Sequence, residues 1–330
     1  MGIKAEELLE RMILISGPPR SGTTFAIKSL SHHPAFVAAI DDHVYECWGL
    51  YHYRKRSGLI QQMRTRSLSR GEAKRILSDH LFSEGCLKSA ARSDKTKDFP
   101  GSGPDLSLSD GFERSALDAD MVFYKIPLET INPDRRLCLK SPEISFVMPE
   151  LAQYFPEAKF IMVYRPVIEI AESMYRMGNL VKRFPIYHRW WVKEKKESGE
   201  FLPPPGIPGD WNTLWQNATD FQRCVIYATS YIRAILQGVV KIGSDRYFLY
   251  NHKDIQKNPD KIFDQMAEFL AVNSSGFQEA KKLLKTDDNR ISTELTSQYA
   301  EIDQYLSVRG YMHQMDALRS YRSRTQKEYE

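Results

Sequence analysis

An apolar run followed by a glycine-rich loop, near the start of the chain, constrains the fold more than any other feature. Residues 12–16 (MILIS) have the pattern of a buried strand, residues 17–24 (GPPRSGTT) of a tight loop, and residues 23–31 of a helix. Such a loop presents backbone N–H groups and the positive end of the helix dipole to an anion. The combination predicts a phosphate-type binding site in an α/β fold.

The loop differs from a nucleoside-triphosphate loop at one decisive position. A G-x-x-x-x-G-K-[ST] loop carries a lysine where this chain has Thr23, and the nearest cation is Arg20. The missing lysine disfavours a magnesium-dependent triphosphate site. The hydroxyls of Ser21, Thr23 and Thr24 still suit a nucleotide 5′-phosphate, with Arg20 placed for a group beyond it. The alternative, an ordinary strand–helix turn, is a poor explanation for two prolines and two glycines in so short a loop.

Strands alternate with helices along most of the chain. Predicted strands lie at 12–16, 36–40, 137–140, 159–164 and 246–250; predicted helices lie at 4–10, 23–31, 70–84, 145–154, 167–178, 215–240 and 259–270, and a polar, mostly helical tail follows residue 277. This order predicts a P-loop-like parallel sheet with helices on both faces. We expect a single domain over residues 1–330, with residues 93–115 as a loop and 179–214 as an irregular acceptor-binding insert or lid.

The composition narrows the classes of partner. The net charge of +4 suits an anionic ligand but is too small to indicate nucleic-acid binding. The four cysteines are far apart and form no CxxC, which favours a reducing compartment. We see no secretory signal and no long apolar span, so we expect a cytoplasmic protein without a stable membrane anchor. The histidines and cysteine between residues 32 and 47 fit no standard zinc spacing, and we predict no metal site.

Polar residues follow four of the predicted strands. They are the GPPRSGTT loop, Asp41-Asp42-His43, Lys140 and Arg165. In open parallel sheets, ligands bind at the carboxyl ends of the strands. We therefore expect all four groups to lie along one edge of the sheet.

These residues resemble a known family. GPPRSGTT, Lys140 in LCLKSP, and Arg165 with Ser173 in YRPVIEIAES resemble sulfotransferases that use 3′-phosphoadenylyl sulfate (PAPS). Ser173 lies eight positions after Arg165, which is the spacing in this family. Lys140 lies 25 positions before Arg165, which is the spacing in the branch that includes tyrosylprotein sulfotransferases and bacterial relatives. The resemblance covers about residues 12–45, 136–178 and 215–270; residues 46–135 and 179–214 are unmatched and are expected to shape the acceptor pocket.

The resemblance implies a role for each matched residue. Residues of the loop would bind the 5′-phosphosulfate of the donor: Pro19, Arg20, Ser21, Gly22, Thr23 and Thr24. Arg165 and Ser173 would bind its 3′-phosphate, and Tyr227 would stack on adenine, with Tyr231 as an alternative on the same helical face. Arg20 and Lys140 would neutralise charge during transfer, and no metal would be required. The alternatives are a solvated Lys140, a surface ion pair of Arg165 with Glu169 or Glu172, and Tyr227 as a core tyrosine.

The general base is left open by the sequence. Asp41 stands where the tyrosylprotein branch has a glutamate, and Asp42 and His43 follow it directly. Any of these three residues has the chemistry to accept a proton from a hydroxyl or phenol. Pro142 occupies the position of the histidine used by the cytosolic branch, which leaves Glu143 as a weaker candidate.

The predicted function is sulfuryl transfer from PAPS to a hydroxyl or phenol of a small-molecule, lipid or metabolite acceptor. Aromatic residues of the unmatched segments suggest an acceptor with apolar surface: Trp48, Tyr51, Tyr53, Phe184, Tyr187, Trp190 and Trp191. Two rival functions remain, a P-loop kinase or NTPase and a nucleotide-binding relative without catalysis. The sequence indicates no oligomeric state.

Overall fold

The core of the protein is one parallel sheet. The computed structural model describes residues 4–40, 68–83, 86–92, 121–177, 206–284 and 291–325. The strands are β1 (Ile13–Ser16), β2 (Phe36–Ile40), β3 (Phe82–Ser83), β4 (Cys86–Arg92), β5 (Met121–Pro127), β6 (Arg136–Lys140), β7 (Lys159–Tyr164) and β8 (Tyr247–Asn251). Five of them form the sheet in the order β2-β6-β1-β7-β8, and every neighbouring pair is parallel.

Helices cover both faces of this sheet. They are α1 (Ala5–Glu10), α2 (Thr23–Ser31), α3 (Arg70–Leu81), α4 (Met148–Tyr154), α5 (Val167–Met177), α6 (Asn212–Asn217), α7 (Asp220–Ile242), α8 (His252–Lys257), α9 (Pro259–Leu270), α10 (Gln278–Lys281), α11 (Thr293–Leu306) and α12 (Val308–Thr325). Short 3₁₀ segments lie at Leu128–Thr130, Pro142–Phe146, Gly209–Trp211, Ser244–Arg246 and Ser274–Phe277. The predicted α/β class, with a parallel sheet between two helical layers, is confirmed.

Successive side chains of each strand point to opposite faces of the sheet, and this divides the core into two halves. Leu14 of β1 packs in the cluster that contains α7, whereas Ile13 and Ile15 pack in the cluster that contains α2 and α9. Because successive side chains of a strand point to opposite faces, a strand buried on both sides has a continuous apolar sequence. This explains why ILIS carries no polar residue until Ser16.

The helix α7 is the centre of one layer. It packs against α4, α5, α11 and α12 and against the 3₁₀ segment Pro142–Phe146. Among the described residues, it is the one helix long and apolar enough to span a membrane by length and composition. Most of its surface is buried inside the protein. Its apolar character is therefore explained by its place in the core.

Four features differ from the sequence prediction. A second, antiparallel sheet of β3, β4 and β5 was not predicted; helix α3 ends at Leu81 rather than at residue 84, and β3 begins at Phe82. The predicted helix 215–240 is two helices, because Thr219 caps a new helix after Ala218. Helix α4 begins at Met148 rather than residue 145, after a 3₁₀ turn and with Pro149 in its first turn, where proline is tolerated. Helix α8 was also missed.

The predicted insert is described only in part. Residues 206–214 form a turn, a 3₁₀ segment and the start of α6, and residues 178–205 lie outside the described part of the chain. The loop predicted at 93–115 also lies outside it. The lid interpretation of residues 179–214 stays a prediction.

Candidate active site

The glycine-rich loop joins β1 to α2 at the carboxyl edge of the sheet. Gly17 has φ +149° and Gly22 has φ +106°, both in the region that favours glycine. A Cβ on Gly17 would lie 2.0 Å from the carbonyl oxygen of Val163, so the loop passes directly over β7. A Cβ on Gly22 would lie 2.4 Å from the imidazole Nδ1 of His252. The two glycines therefore allow the loop to lie against β7 and against the start of α8.

A hydroxyl at the end of β1 anchors the loop to the segment after β6. The Ser16 hydroxyl donates to the Pro142 carbonyl oxygen at 2.7 Å and accepts from the Ser145 amide at 2.9 Å. The Ser141 amide donates to the Ile15 carbonyl oxygen at 3.0 Å. These buried bonds hold the start of the loop and the residues after Lys140 in one rigid arrangement.

The loop offers donors at the N-terminus of α2. Gly22 is the N-cap residue and provides no side chain to cap the helix. Ser21 is fully buried, and its hydroxyl has no hydrogen-bond partner among the described residues. A buried hydroxyl without a partner is costly unless a ligand or water completes it. The loop thus has the features of an anion cradle, with Thr24 exposed at its outer side and Thr23 buried.

Arg20 connects the loop to helix α5. Its backbone adopts φ +73°, which is unusual for a residue other than glycine. Its Nε–H donates to the Ser173 hydroxyl at 3.1 Å. The sequence assigned these two residues to opposite ends of a donor molecule, and the structure brings them into contact. This hydrogen bond connects the loop to the second turn of α5.

Arg165 lies directly after β7 and is 5% exposed. Its Nε–H donates to a carboxylate oxygen of Glu169 at 2.7 Å. The sequence left open a surface ion pair of Arg165 with Glu169 or Glu172; the pair with Glu169 exists, and it is buried. Glu172 instead accepts from Arg176 at 2.5 Å. A buried guanidinium held by one carboxylate keeps a fixed orientation, which suits a phosphate-binding residue.

Lys253 is a cation of this region that the sequence analysis missed. It lies in the first turn of α8, just beyond β8, and its ammonium group pairs with the second carboxylate oxygen of Glu169. Glu169 therefore bridges Arg165 and Lys253. The rule that ligand-binding residues follow parallel strands, applied to β8 as it was to β7, would have found it.

Lys140 ends β6 and is 9% exposed. Three residues later, the buried carboxylate of Glu143 accepts hydrogen bonds from the Ser141 hydroxyl at 2.8 Å and from the Tyr231 hydroxyl at 3.0 Å. Burial raises the pKa of Glu143 to about 7, against the opposing effect of these two bonds and of the Lys140 charge. The region thus contains a cation at the end of β6 and, three residues later, a buried carboxyl group whose pKa is raised by burial.

Tyr227 lies beside Tyr231 in the core. Its hydroxyl lies 2.7 Å from the Tyr231 hydroxyl, and the two rings meet edge to face with centroids 5.0 Å apart. Tyr227 is only 4% exposed, so its surroundings match those of a core tyrosine. Its predicted stacking on adenine is not tested by these contacts and stays a prediction.

A family model described as "Sulfotransferase family" matches residues 12–193, which is more than half of the chain. The chain belongs to the sulfotransferase family. The matched range includes the loop, Lys140, Arg165 and Ser173. The resemblance inferred from these motifs is confirmed at the level of the family, and the particular branch stays a prediction.

Solved structures of other sulfotransferases are similar to this one at a distance. One, from Alicyclobacillus acidocaldarius, is 12% identical with a TM-score of 0.47 over 93% of this chain and 95% of that chain. Another, from Mycobacterium avium, is 16% identical with a TM-score of 0.43 over 90% of this chain and 77% of that chain. A sulfotransferase domain from the curacin biosynthetic pathway is 14% identical, with a TM-score of 0.42 over 86% of this chain and 81% of that chain. Among curated proteins, none matches the sequence of the chain.

The predicted base of this sulfotransferase lies outside the described residues. Asp41, Asp42 and His43 follow β2 directly, and the last residue of β2, Ile40, is the register partner of Lys140. The end of β2 therefore lies beside Lys140. The aromatic residues predicted for the acceptor pocket, from Trp48 to Trp191, also lie outside the described ranges.

Most of the predicted groups of this sulfotransferase lie at the carboxyl ends of the parallel strands. The loop, Lys140 and Arg165 follow β1, β6 and β7, which are adjacent and parallel. Within the described ranges, no group of three or more histidine, cysteine, aspartate or glutamate side chains has the arrangement of a metal site. The convergence of the described groups agrees with the prediction that they share one edge.

Proposed function

We propose that this sulfotransferase transfers a sulfuryl group from PAPS to a hydroxyl or phenol of a small-molecule, lipid or metabolite acceptor. The contact between Arg20 and Ser173 carries the proposal. It joins an anion-binding loop to a second basic site around Arg165, along one edge of the sheet. A donor with anionic groups at both ends of a nucleoside matches two such sites better than a simple triphosphate does.

The residues of the loop suit the 5′ end of this donor. The N-terminus of α2 and the hydroxyls of Ser21, Thr23 and Thr24 provide donors for phosphosulfate oxygens. The buried Ser21 hydroxyl, which has no partner among the described residues, supports a ligand at this point. PAPS supplies, when bound, a sulfuryl group already attached to a good leaving group.

The second basic site suits the 3′-phosphate. Arg165 is held from one side by Glu169, and Lys253 approaches the same carboxylate. Ser173 adds a hydroxyl group, which accepts a hydrogen bond from Arg20. A phosphate dianion in this position would gain charge-assisted bonds from a guanidinium with a fixed orientation.

In the proposal, two cations act in the transfer itself. Arg20 lies at the crown of the loop, and Lys140 ends the strand beside it. A loose, in-line transfer spreads negative charge over the sulfuryl and bridging oxygens, and fixed cations stabilise that charge. In the proposal these two side chains do so without a metal. A residue among Asp41, Asp42 and His43 accepts the proton of the acceptor.

Calorimetric titration with 3′,5′-ADP, AMP and Mg-ATP tests this proposal. We expect micromolar binding of 3′,5′-ADP without metal, and AMP binding weaker by at least about tenfold, because AMP lacks the 3′-phosphate. Arg165→Ala should weaken 3′,5′-ADP binding by about 10- to 100-fold and leave AMP binding unchanged. Arg75→Ala, an exposed arginine on α3, is the matched control and should bind like the wild type.

The outcomes of the titration distinguish the rival functions. Preference for Mg-ATP over 3′,5′-ADP would contradict the proposal and favour a kinase or NTPase. Tight 3′,5′-ADP binding followed by transfer of labelled sulfuryl from PAPS to phenolic or aliphatic alcohols would support it. Tight binding without transfer to any acceptor, water included, would indicate a relative without catalysis.

A further inference from the structure

Lys253 lies just beyond β8, beside the strand end that is followed by Arg165. The strands β7 and β8 are adjacent and parallel, and Tyr164 at the end of β7 is the register partner of Asn251 at the end of β8. Arg165 follows Tyr164 directly, and Lys253 comes two residues after Asn251. Two cations therefore follow neighbouring strands at the edge of the sheet where ligands bind in folds of this class.

Glu169 joins these two cations. One oxygen of its buried carboxylate accepts from the Arg165 Nε–H at 2.7 Å, and the other oxygen pairs with the Lys253 ammonium group. The two cationic groups thus lie at a separation that one carboxylate bridges. A phosphate presents its oxygens at a similar separation, so a phosphate can also bridge a guanidinium and an ammonium group that are placed in this way.

The three side chains of this ion-pair group differ in their exposure. The side chains of Arg165 and Glu169 are 6% and 9% exposed, whereas the side chain of Lys253 is 40% exposed. An ammonium group has three N–H donors, and a single carboxylate oxygen takes one of them. Lys253 is therefore the member of the group that combines donors beyond its ion pair with surface that an incoming anion can reach.

The backbone of Lys253 is anchored on both sides. The Asn251 side chain caps α8 by accepting from the Lys253 amide at 3.0 Å. The next residue, His252, is 9% exposed, and its ring lies against the glycine-rich loop. On the other side of Lys253, Asp254 pairs with Arg319 of α12. These contacts restrict the positions of the lysine, which lowers the entropic cost of binding a ligand there.

We propose that Lys253 is a binding residue for the 3′-phosphate of the donor, which it contacts together with Arg165 while Glu169 orients both cations; this inference rests on the proposed function. Lys253 adds a charge-assisted hydrogen bond from the side of β8 to a phosphate that Arg165 holds from the side of β7. Its role is in binding and not in the transfer step, because the sulfuryl group lies at the other end of the donor. A nucleotide without a 3′-phosphate gains nothing from it.

Calorimetric titration of Lys253→Met with 3′,5′-ADP and with AMP tests this role. Methionine keeps most of the aliphatic stem and removes the ammonium group. We expect 3′,5′-ADP to bind about tenfold more weakly than to the wild type, and AMP to bind equally to both proteins, because AMP lacks the 3′-phosphate. Lys257→Met removes an exposed lysine one turn later on the same helix; it is the matched control and should bind both nucleotides like the wild type.

Three outcomes of this titration would overturn the proposal. The first is unchanged 3′,5′-ADP binding in Lys253→Met. The second is an equal loss of affinity for 3′,5′-ADP and AMP, because the effect would then not depend on the 3′-phosphate. The third is an equal loss in Lys253→Met and Lys257→Met, which would indicate a general effect of positive charge on this helix.

A double variant separates direct binding from neutralisation of Glu169. If Lys253 acted only by neutralising that carboxylate, Lys253→Met would lose affinity through repulsion between Glu169 and the phosphate, and Glu169→Gln would remove this repulsion. We expect instead that Lys253→Met still weakens 3′,5′-ADP binding by about fivefold or more in the Glu169→Gln background. Equal affinities of Glu169→Gln and the double variant would overturn the proposal.

Urea denaturation without nucleotide shows whether each variant is folded. If Lys253→Met does not fold, Lys253→Gln takes its place, because its amide group retains a donor for Glu169 while the positive charge is removed. The same selective loss of 3′,5′-ADP affinity is expected for Lys253→Gln, and its absence would overturn the proposal in the same way.

Failure of this inference is distinguishable from failure of the proposed function. If the wild type binds 3′,5′-ADP no better than AMP, the proposed function is wrong, and the inference about Lys253 is wrong with it. If the wild type prefers 3′,5′-ADP and Lys253→Met retains the full preference, only the role of Lys253 is wrong.

Discussion

Gly22 is subject to two independent constraints at once, one from its backbone and one from its neighbour. Its φ of +106° disfavours any residue with a Cβ, and a Cβ would lie 2.4 Å from the His252 ring. Gly22→Ala should therefore destabilise the protein by about 2 kcal/mol or more, from backbone strain together with displacement of the ring. Urea denaturation measures this loss, and 3′,5′-ADP titration should show weakened binding.

The control for this substitution is Gly71→Ala. Gly71 lies in the first turn of α3, and a Cβ there meets nothing within 4 Å. Alanine should be neutral there or stabilise the protein by up to about 1 kcal/mol, because it restricts the unfolded chain and favours the helix. Equal effects of the two substitutions would contradict the conformational argument for Gly22.

The residues of the site differ in how far the sequence predicted them. Arg20, Lys140 and Arg165 were assigned from their motifs beside strand ends, and Ser173 from its spacing to Arg165; their roles stay predictions. Lys253 directly follows β8, so the strand-end rule could have located it, but its ion pair with Glu169 joins residues that are distant in sequence. Such contacts follow from packing, and no local pattern encodes them.

At the scale of elements, the start of α7 depends on a capping box. The Thr219 hydroxyl accepts from the Gln222 amide at 3.2 Å, and the Gln222 side chain accepts from the Thr219 amide at 2.9 Å. Thr219→Ala should cost about 1 kcal/mol of folding free energy, because it leaves helix N–H groups without a partner. Thr219→Ser retains the oxygen and should stay within about 0.5 kcal/mol of the wild type.

Chemical denaturation of the three proteins checks this prediction. If Thr219→Ser were as unstable as Thr219→Ala, the loss would come from the methyl group and not from the cap. The Thr219 hydroxyl also donates to Gln298 of α11 at 2.7 Å, a bond that serine preserves. The T-x-x-Q signal was present in the sequence, but the apolar periodicity continued across it and predicted one long helix over 215–240.

The small antiparallel sheet shows a different limit at the same scale. The strands β4 and β5 pair from Cys86–Pro127 to Arg92–Met121, across a long intervening segment. A hairpin prediction relies on a short connection between two strands, and residues 93–120 separate these two in the sequence. Their pairing is a long-range contact that only the folded chain brings together.

For the whole molecule, the described elements pack as one body around the parallel sheet. Strands from residue 13 to residue 251 share the sheet, and the C-terminal helices pack on α7. Near the site, the Tyr164 hydroxyl donates to Asp316 of α12 at 2.6 Å, and Arg319 pairs with Asp254 of α8. Helix α12 thus contacts Tyr164, which precedes Arg165, and Asp254, which follows Lys253.

This organisation predicts one cooperative unfolding transition. If residues 1–330 form the single domain that the sequence predicts, ellipticity in the far ultraviolet and tryptophan fluorescence should give coincident curves. Addition of 3′,5′-ADP at about 100 times its dissociation constant should add about 2.7 kcal/mol of stability and raise the midpoint. Two separate transitions, with only one of them shifted by the nucleotide, would contradict the prediction of a single domain.

The sequence by itself determined the fold class, the family and the edge of the sheet where the site lies. These depend on local patterns: continuous apolar strands, glycines in a strand–helix loop, and cations placed directly after strands. Only the tertiary structure decided that Arg20 contacts Ser173, that Glu169 bridges Arg165 and Lys253, and that Glu143 is buried between Ser141 and Tyr231. The reason is physical: burial and the partners of a charge depend on which distant segments pack together, and they set its pKa and its orientation.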